Sequence, residues 1–118
     1  MELPTNGPAI ARRRVVLLPF PFSDLSDQKL RPALVLADAD RGDWLLCQIT
    51  SKPYADTRAV QLAEADFVAG GLRLLSYARP AKLFTAHAGL IRSVIGELSV
   101  SAHQRVCDAL IGLLSDPI

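Results

Sequence analysis

Phe20-Pro21-Phe22-Ser23-Asp24-Leu25-Ser26-Asp27-Gln28-Lys29-Leu30-Arg31-Pro32-Ala33-Leu34-Val35-Leu36 decides how this chain folds, because a polar segment punctuated by proline runs without a break into an aliphatic one. Val15 to Leu18 upstream and Ala33 to Leu36 at its end are continuous apolar runs of β-branched or aliphatic residues, and each reads as a buried strand. The polar residues between them read as a loop. Arg31 therefore stands where a loop meets a buried strand, and such junctions on a rigid sheet are where binding and catalytic groups collect.

Strand one, about Arg14 to Phe20, is apolar on both faces, and Pro19 marks an edge or a bulge at its end. Strand two covers about Pro32 to Ala37, the turn Asp38-Ala39-Asp40-Arg41-Gly42-Asp43 follows, and strand three is Trp44 to Thr50. Ser51 to Thr57 is a loop and Arg58 to Leu62 a short strand, while Ala63 to Ala69 reads as one helical turn ended by Gly70-Gly71. Ser76 to about Leu83 is another strand, with Pro80 again at an edge or bulge, and Ile91 to Leu98 holds a further short one. The last element is a helix, since Ala102, Val106, Ala109, Leu110, Leu113 and Leu114 recur at steps of three and four. Ser99 or Ser101 caps it, Gln104 stands where a capping-box partner of Ser101 would, His103 falls on its polar face, and Asp116-Pro117 ends it. The order predicts a mainly β domain, a small antiparallel, SH3-like and partly open barrel of about five to seven strands with a C-terminal helix across it. One domain, residues 13–116, follows a flexible tail, residues 1–12.

Composition narrows the partners. Half of the 118 residues are hydrophobic and few are aromatic, which suits an aliphatic core with enough apolar surface left for a homodimer face. A formal net charge of +1 excludes binding to nucleic acid by bulk phosphate neutralisation, so any such site is local. Arg12, Arg13 and Arg14 form one local cluster, readable either as a solvated flank or as phosphate contacts. Cys47 and Cys107 have neither metal nor disulfide-framework spacing, which points to a reducing cytoplasm. Residues 1–11 lack a signal-peptide core, and no apolar run approaches the ~20 residues needed to span a bilayer.

The run ending in Arg31-Pro32-Ala33-Leu34-Val35-Leu36 resembles the strand start of the PemK/MazF-type toxins of bacterial toxin-antitoxin pairs. Cys47-Gln48-Ile49-Thr50-Ser51 resembles the family's third strand, and Gly70-Gly71-Leu72 with Ser76 to Thr85 its late strand, so the likeness covers roughly residues 13–115. It implies the PemK/MazF/CcdB-like toxin fold and a symmetric homodimer with its groove near the two-fold axis. It also implies a cognate antitoxin and a metal-independent, cofactor-free endoribonuclease activity on single-stranded mRNA, leaving 2′,3′-cyclic phosphate and 5′-hydroxyl ends.

That reaction needs a donor for charge growing on the phosphate oxygens, and a guanidinium such as Arg31's gives two parallel hydrogen bonds while staying charged. A salt bridge from Arg31 to Asp24 or Asp27 is the plain alternative. Thr50 and Ser51 offer hydroxyls that either hold a phosphate oxygen or close a turn. Lys29, Lys52, Arg79 and Lys82 are candidate RNA contacts, shared in part with an acidic antitoxin segment, and Tyr54 is a better stacking platform than Trp44, which reads as core. The late strand, Tyr77-Ala78-Arg79-Pro80, lacks the acidic residue that some family members carry, so a general base would have to be Asp24, Asp27 or His87, the last also readable as a surface turn residue. The missing acid motivates a second reading, a non-catalytic binding module of the gyrase-inhibitor kind.

Overall fold

Ala33, Leu34, Val35 and Leu36 are all buried, as a strand with core on both faces requires. A computed structural model describes residues 9–20 and 29–116. Within them the chain forms β1 (Arg14–Pro19), β2 (Leu30–Asp38), β3 (Asp43–Thr50), β4 (Val60–Leu62), β5 (Phe67–Gly70), β6 (Ser76–His87), β7 (Ser93–Leu98) and α1 (Val100–Ser115). The strands make one antiparallel sheet in the order β4-β6-β3-β2-β1-β7-β5. Register shifts at Val35/Ala37 and Cys47/Gln48 bend it into a half-barrel.

The two faces of the central strands carry separate cores. Val15, Leu34, Cys47, Ile49 and Leu98 pack with Ala102 and Val106 of α1. Val16, Leu18, Ala33, Val35 and Leu46 form the second cluster on the opposite face, with Ile91 and Ala86. Burial pushes the Cys47 thiol up to about 12, so it is an inert core side chain.

Several elements differ from the sequence reading. Residues 63–69 hold only a 3₁₀ turn, Glu64–Asp66, before β5. Phe67 and Ala69 are better used against Leu98 and Glu97 at the edge of the sheet than in a helical turn. The short strand begins at Val60 rather than Arg58, because the Asp56 carboxylate accepts from the Arg58 backbone N–H and closes a turn there. β6 runs four residues past Leu83, and Pro80-Ala81-Lys82 bulge out opposite the Cys47/Gln48 step. Arg13 and Arg14 are engaged within the fold rather than forming a free flank: Arg14 Nε donates to Glu97 at 3.2 Å, Arg13 lies 3.8 Å from the same carboxylate, and Arg13 Nη1 also donates to the Leu98 carbonyl. They tie the start of β1 to β7.

At the head of α1 the Ala102 N–H donates to Ser99 Oγ at 3.1 Å, so Ser99 is the cap. Gln104 makes no capping box; its side chain donates to Asp108. His103, expected on the polar face, is buried, and neither ring nitrogen has a hydrogen-bond partner among the described residues. The spacing His103, Val106, Leu110 places it on the edge of the apolar stripe, where the sheet covers it. Burial, with the nearby positive charges of Arg12 and Arg13, lowers its pKa. As pH falls below about 6.5 the unfolded chain takes up this proton first, so stability drops until the folded His103 also protonates. His103→Leu is therefore expected to keep or raise stability at pH 7.5 and to abolish part of the loss at pH 5 in urea denaturation. Equal pH dependence in the two proteins would refute this assignment.

Candidate functional site

The β2–β3 register positions the site. Ala33 pairs with Gln48, and carrying that register two residues further sets Arg31 opposite Thr50. Because side chains alternate, Arg31, Gln48 and Thr50 project to the face that buries Ala33, Val35 and Leu46, and this face turns polar at its end. The residues enclose a cavity of about 250 Å³, lined by Arg31, Gln48, Thr50, Ser51, Arg73 and Ser76 together with apolar side chains. Among the described residues no acidic side chain lines it. Neither Arg31 nor Arg73 is in an ion pair with a described residue, and the cavity brings the two guanidinium groups to one lining.

Thr50 Oγ1 accepts from the Lys52 N–H at 3.1 Å and reaches the Lys52 carbonyl at 3.3 Å. This closes the turn and leaves Ser51 and Lys52 exposed beside the cavity. Lys29 is exposed two residues before Arg31. Asp24 and Asp27, candidate bases and candidate partners of Arg31, lie outside the described residues.

A second cavity, about 470 Å³, opens next to the first and is lined by Pro53, Tyr54, Asp56, Arg58, Arg79 and Leu113 among others. Arg79 Nε donates to Asp56 Oδ2 at 2.6 Å. That hydrogen bond holds the Asp56 carboxyl below its usual range against the opposing effect of desolvation. Arg58 is drawn aside by Asp116 at 2.5 Å. Tyr54 is 86% exposed and has a φ of +55°, at the rim of the cavity.

The other candidates fall elsewhere. Lys82 is exposed in the β6 bulge and lines neither cavity. His87 pairs with Asp43 at the far end of β3 from Thr50, about 23 Å away at the usual rise per residue. Its Nδ1 accepts from the Gly89 N–H at 3.0 Å, which is turn capping. Trp44 is partly buried against the second core cluster. No group of three His, Cys, Asp or Glu side chains suited to a metal ion occurs among the described residues.

Sequence reasoning did not single out Arg73, Gln48, Ser76 or Asp56. Arg73 follows Gly70-Gly71 in a loop whose path depends on β5 joining the sheet edge, which the sequence reading took for a helical turn. Asp56 did carry a signal, an Asx turn in a loop with Pro53.

The sequence profile of the PemK-like, MazF-like toxins of type II toxin-antitoxin systems matches residues 11–114. The chain belongs to this family. Among solved structures it is similar to the Mycobacterium tuberculosis toxin MazF-mt6, with a TM-score of 0.69, 17% identity, and 90% of this chain and 100% of that one covered. An endoribonuclease in complex with its cognate antitoxin from a mycobacterial species matches with a TM-score of 0.67, 16% identity, and 97% and 99% coverage. MazE-MazF (Form-III) from Deinococcus radiodurans matches with a TM-score of 0.69, 20% identity, and 90% and 96% coverage. At such identities these likenesses carry the toxin fold, a sheet with a C-terminal helix. None of the curated protein sequences matches the chain significantly. No helix among the described residues is long and apolar enough to cross a membrane.

Because Arg31 and Arg73 pair with no described carboxylate, Arg31→Ala and Arg73→Ala are each expected to shift unfolding free energy by less than about 0.5 kcal/mol. Asp56→Ala removes both the Arg79 contact and the turn at Arg58, and is expected to cost about 1–3 kcal/mol. Chemical denaturation at pH 7 measures all three.

Proposed function

We propose that this PemK/MazF-family chain is a toxin that cuts single-stranded RNA, with the Arg31 cavity as its phosphate site. The observation that carries the reading is the meeting of Arg31, Arg73, Thr50 and Ser51 in one cavity. In the proposed reaction the 2′-hydroxyl oxygen attacks the adjacent phosphorus while the bond to the 5′-oxygen breaks, giving a 2′,3′-cyclic phosphate and a 5′-hydroxyl. One proton leaves the 2′-oxygen and one reaches the 5′-oxygen.

Charge accumulates on the non-bridging oxygens during this step, and donors fixed in place stabilise it without reorganising. Arg31 offers a planar fork from a strand anchored on both faces, which favours it as the principal donor. Arg73, on a loop, supplies a second charge, and Ser51 with the Thr50 turn orients the phosphate. These groups need no metal ion to neutralise a pentacoordinate phosphorus. The base is proposed to be Asp24 or Asp27 on the segment that leads into Arg31, since the described residues of the lining include neither carboxylate nor imidazole.

The relatives with MazE or a cognate antitoxin support an antitoxin partner for this chain, and a cytoplasmic location is part of the same proposal. Exposed Lys29 and Lys52 beside the cavity suit an acidic antitoxin segment, so antitoxin and RNA are expected to exclude each other. A homodimer is the expected assembly.

The test is incubation with a long unstructured RNA in EDTA, followed by mapping of the new ends. The wild type is expected to leave discrete 5′-hydroxyl ends, and folded Arg31→Ala to be slower by about 10²–10³-fold. Intact RNA from a wild-type protein that still arrests growth would favour the gyrase-inhibitor-like binding module instead. Saturating antitoxin is expected to raise the apparent Kd for RNA in proportion to its concentration; simultaneous binding of both would contradict the shared groove.

A further inference from the structure

We infer that the larger cavity is a base-reading pocket for the same RNA, in which the Arg79 fork recognises a guanine immediately beside the scissile phosphate. The inference rests on the ribonuclease reading of the Arg31 cavity and adds to it the identity of a base.

Size separates the two cavities. The smaller, about 250 Å³, suits a phosphate group, whereas about 470 Å³ lies in the range of pockets that take a ligand the size of a nucleoside. They are also adjacent. Gln48 lines the first and its cross-strand partner Arg79 the second, on strands about 4.8 Å apart. Ser51 lines the first and Pro53 the second, and two residues span at most about 7 Å. A base in the second cavity therefore belongs to a nucleotide flanking the phosphate held in the first.

The chemistry of Arg79 names the base. Its Nε–H is taken by Asp56, whose carboxylate is itself fixed by the Arg58 backbone N–H. Asp56 also lines the cavity, but its side chain is only 9% exposed and its two oxygens are taken by Arg79 Nε and the Arg58 N–H, so it acts chiefly to hold the arginine. The two terminal nitrogens of Arg79 have no described partner, and they form an end-on pair of parallel donors whose orientation is locked by the Nε contact. Such a fork matches two acceptors side by side. Guanine presents O6 and N7 in that way, adenine replaces O6 with a donor, and uracil has one acceptor beside a C–H. Cytosine's O2 and N3 on the Watson–Crick edge are another adjacent acceptor pair, but on a smaller single ring, and the size of the cavity favours the purine. Exposed Tyr54 at the rim gives the base a face to stack on.

The experiment first maps wild-type cuts in a random-sequence RNA. It then measures, by fluorescence anisotropy, binding of two short RNAs blocked by a 2′-deoxynucleotide at the cut, one with guanine and one with adenine at the flanking position. Wild type, Arg79→Lys, Arg79→Gln, Asp56→Asn and Arg31→Ala are compared after thermal unfolding shows each to be folded. Guanine is expected to be enriched on one side of the cut and preferred over adenine by about 5- to 150-fold in binding. Arg79→Lys, which keeps the charge but loses the fork, and Arg79→Gln are expected to bring that ratio close to one. Asp56→Asn is expected to reduce it partly, and Arg31→Ala to weaken both RNAs equally. Replacement of the guanine by 7-deazaguanine, which lacks the N7 acceptor, should weaken binding by the wild type and by Arg31→Ala but not by either Arg79 variant. Cutting without a flanking guanine, a cytosine there instead, or a preference that survives both Arg79 substitutions would overturn the inference. RNA left uncut by the wild type would overturn the ribonuclease reading itself, and this inference with it.

Discussion

Burial of β2 on both of its faces is the constraint on which the site depends. A slip of one residue against β3 would turn Leu34 and Leu36 out of the helix-side core and Ala33 and Val35 out of the other, so two hydrophobic clusters enforce the same pairing. That pairing determines where Arg31 stands. A flexible side chain on a strand so anchored has few alternatives, and the cavity it shares with Thr50, Ser51 and Arg73 inherits that rigidity. The bulge at Cys47/Gln48 then swings β6 so that Arg79 meets Gln48 while Pro80 stays buried.

Charge is distributed with equal economy. The chain is almost neutral, yet its arginines are not equivalent. Glu97 engages Arg13 and Arg14, Asp116 engages Arg58, and Asp56 engages Arg79 by one nitrogen only. Arg31 and Arg73, which share a cavity, have no ion pair with a described carboxylate. A nearly neutral protein can thus present a focused positive site, which favours a single phosphate over a whole nucleic-acid surface.

Much of this was legible in the chain. Continuous aliphatic runs identified β1 and β2, the three-and-four spacing identified α1, and the loop-to-strand junction singled out Arg31. Thr50 and Ser51, expected where strand three closes, do stand there and line the Arg31 cavity, with Thr50 Oγ1 closing the turn. What escaped was whatever tertiary pairing decides. β5 exists because β7 offers an edge, and no local period announces that. His103 looked polar by residue type, but its spacing puts it under the sheet. Arg13 and Arg14 looked available because Glu97 is more than eighty residues away in sequence. Asp56 seemed irrelevant for a similar reason, since the carboxylate near Arg79 comes from a loop and not from the strand where the family resemblance directed attention. Ion pairs between distant segments are invisible to any reading by windows.

The central claim is that one phosphate of a single-stranded RNA sits between Arg31 and Arg73. A crystal structure with a short RNA, blocked by a 2′-deoxynucleotide at the mapped cut, tests it most directly. The account predicts the scissile phosphate within hydrogen-bonding distance of both guanidinium groups and of Ser51 or Thr50. RNA bound elsewhere on the sheet, with the Arg31 cavity free of phosphate, would contradict it.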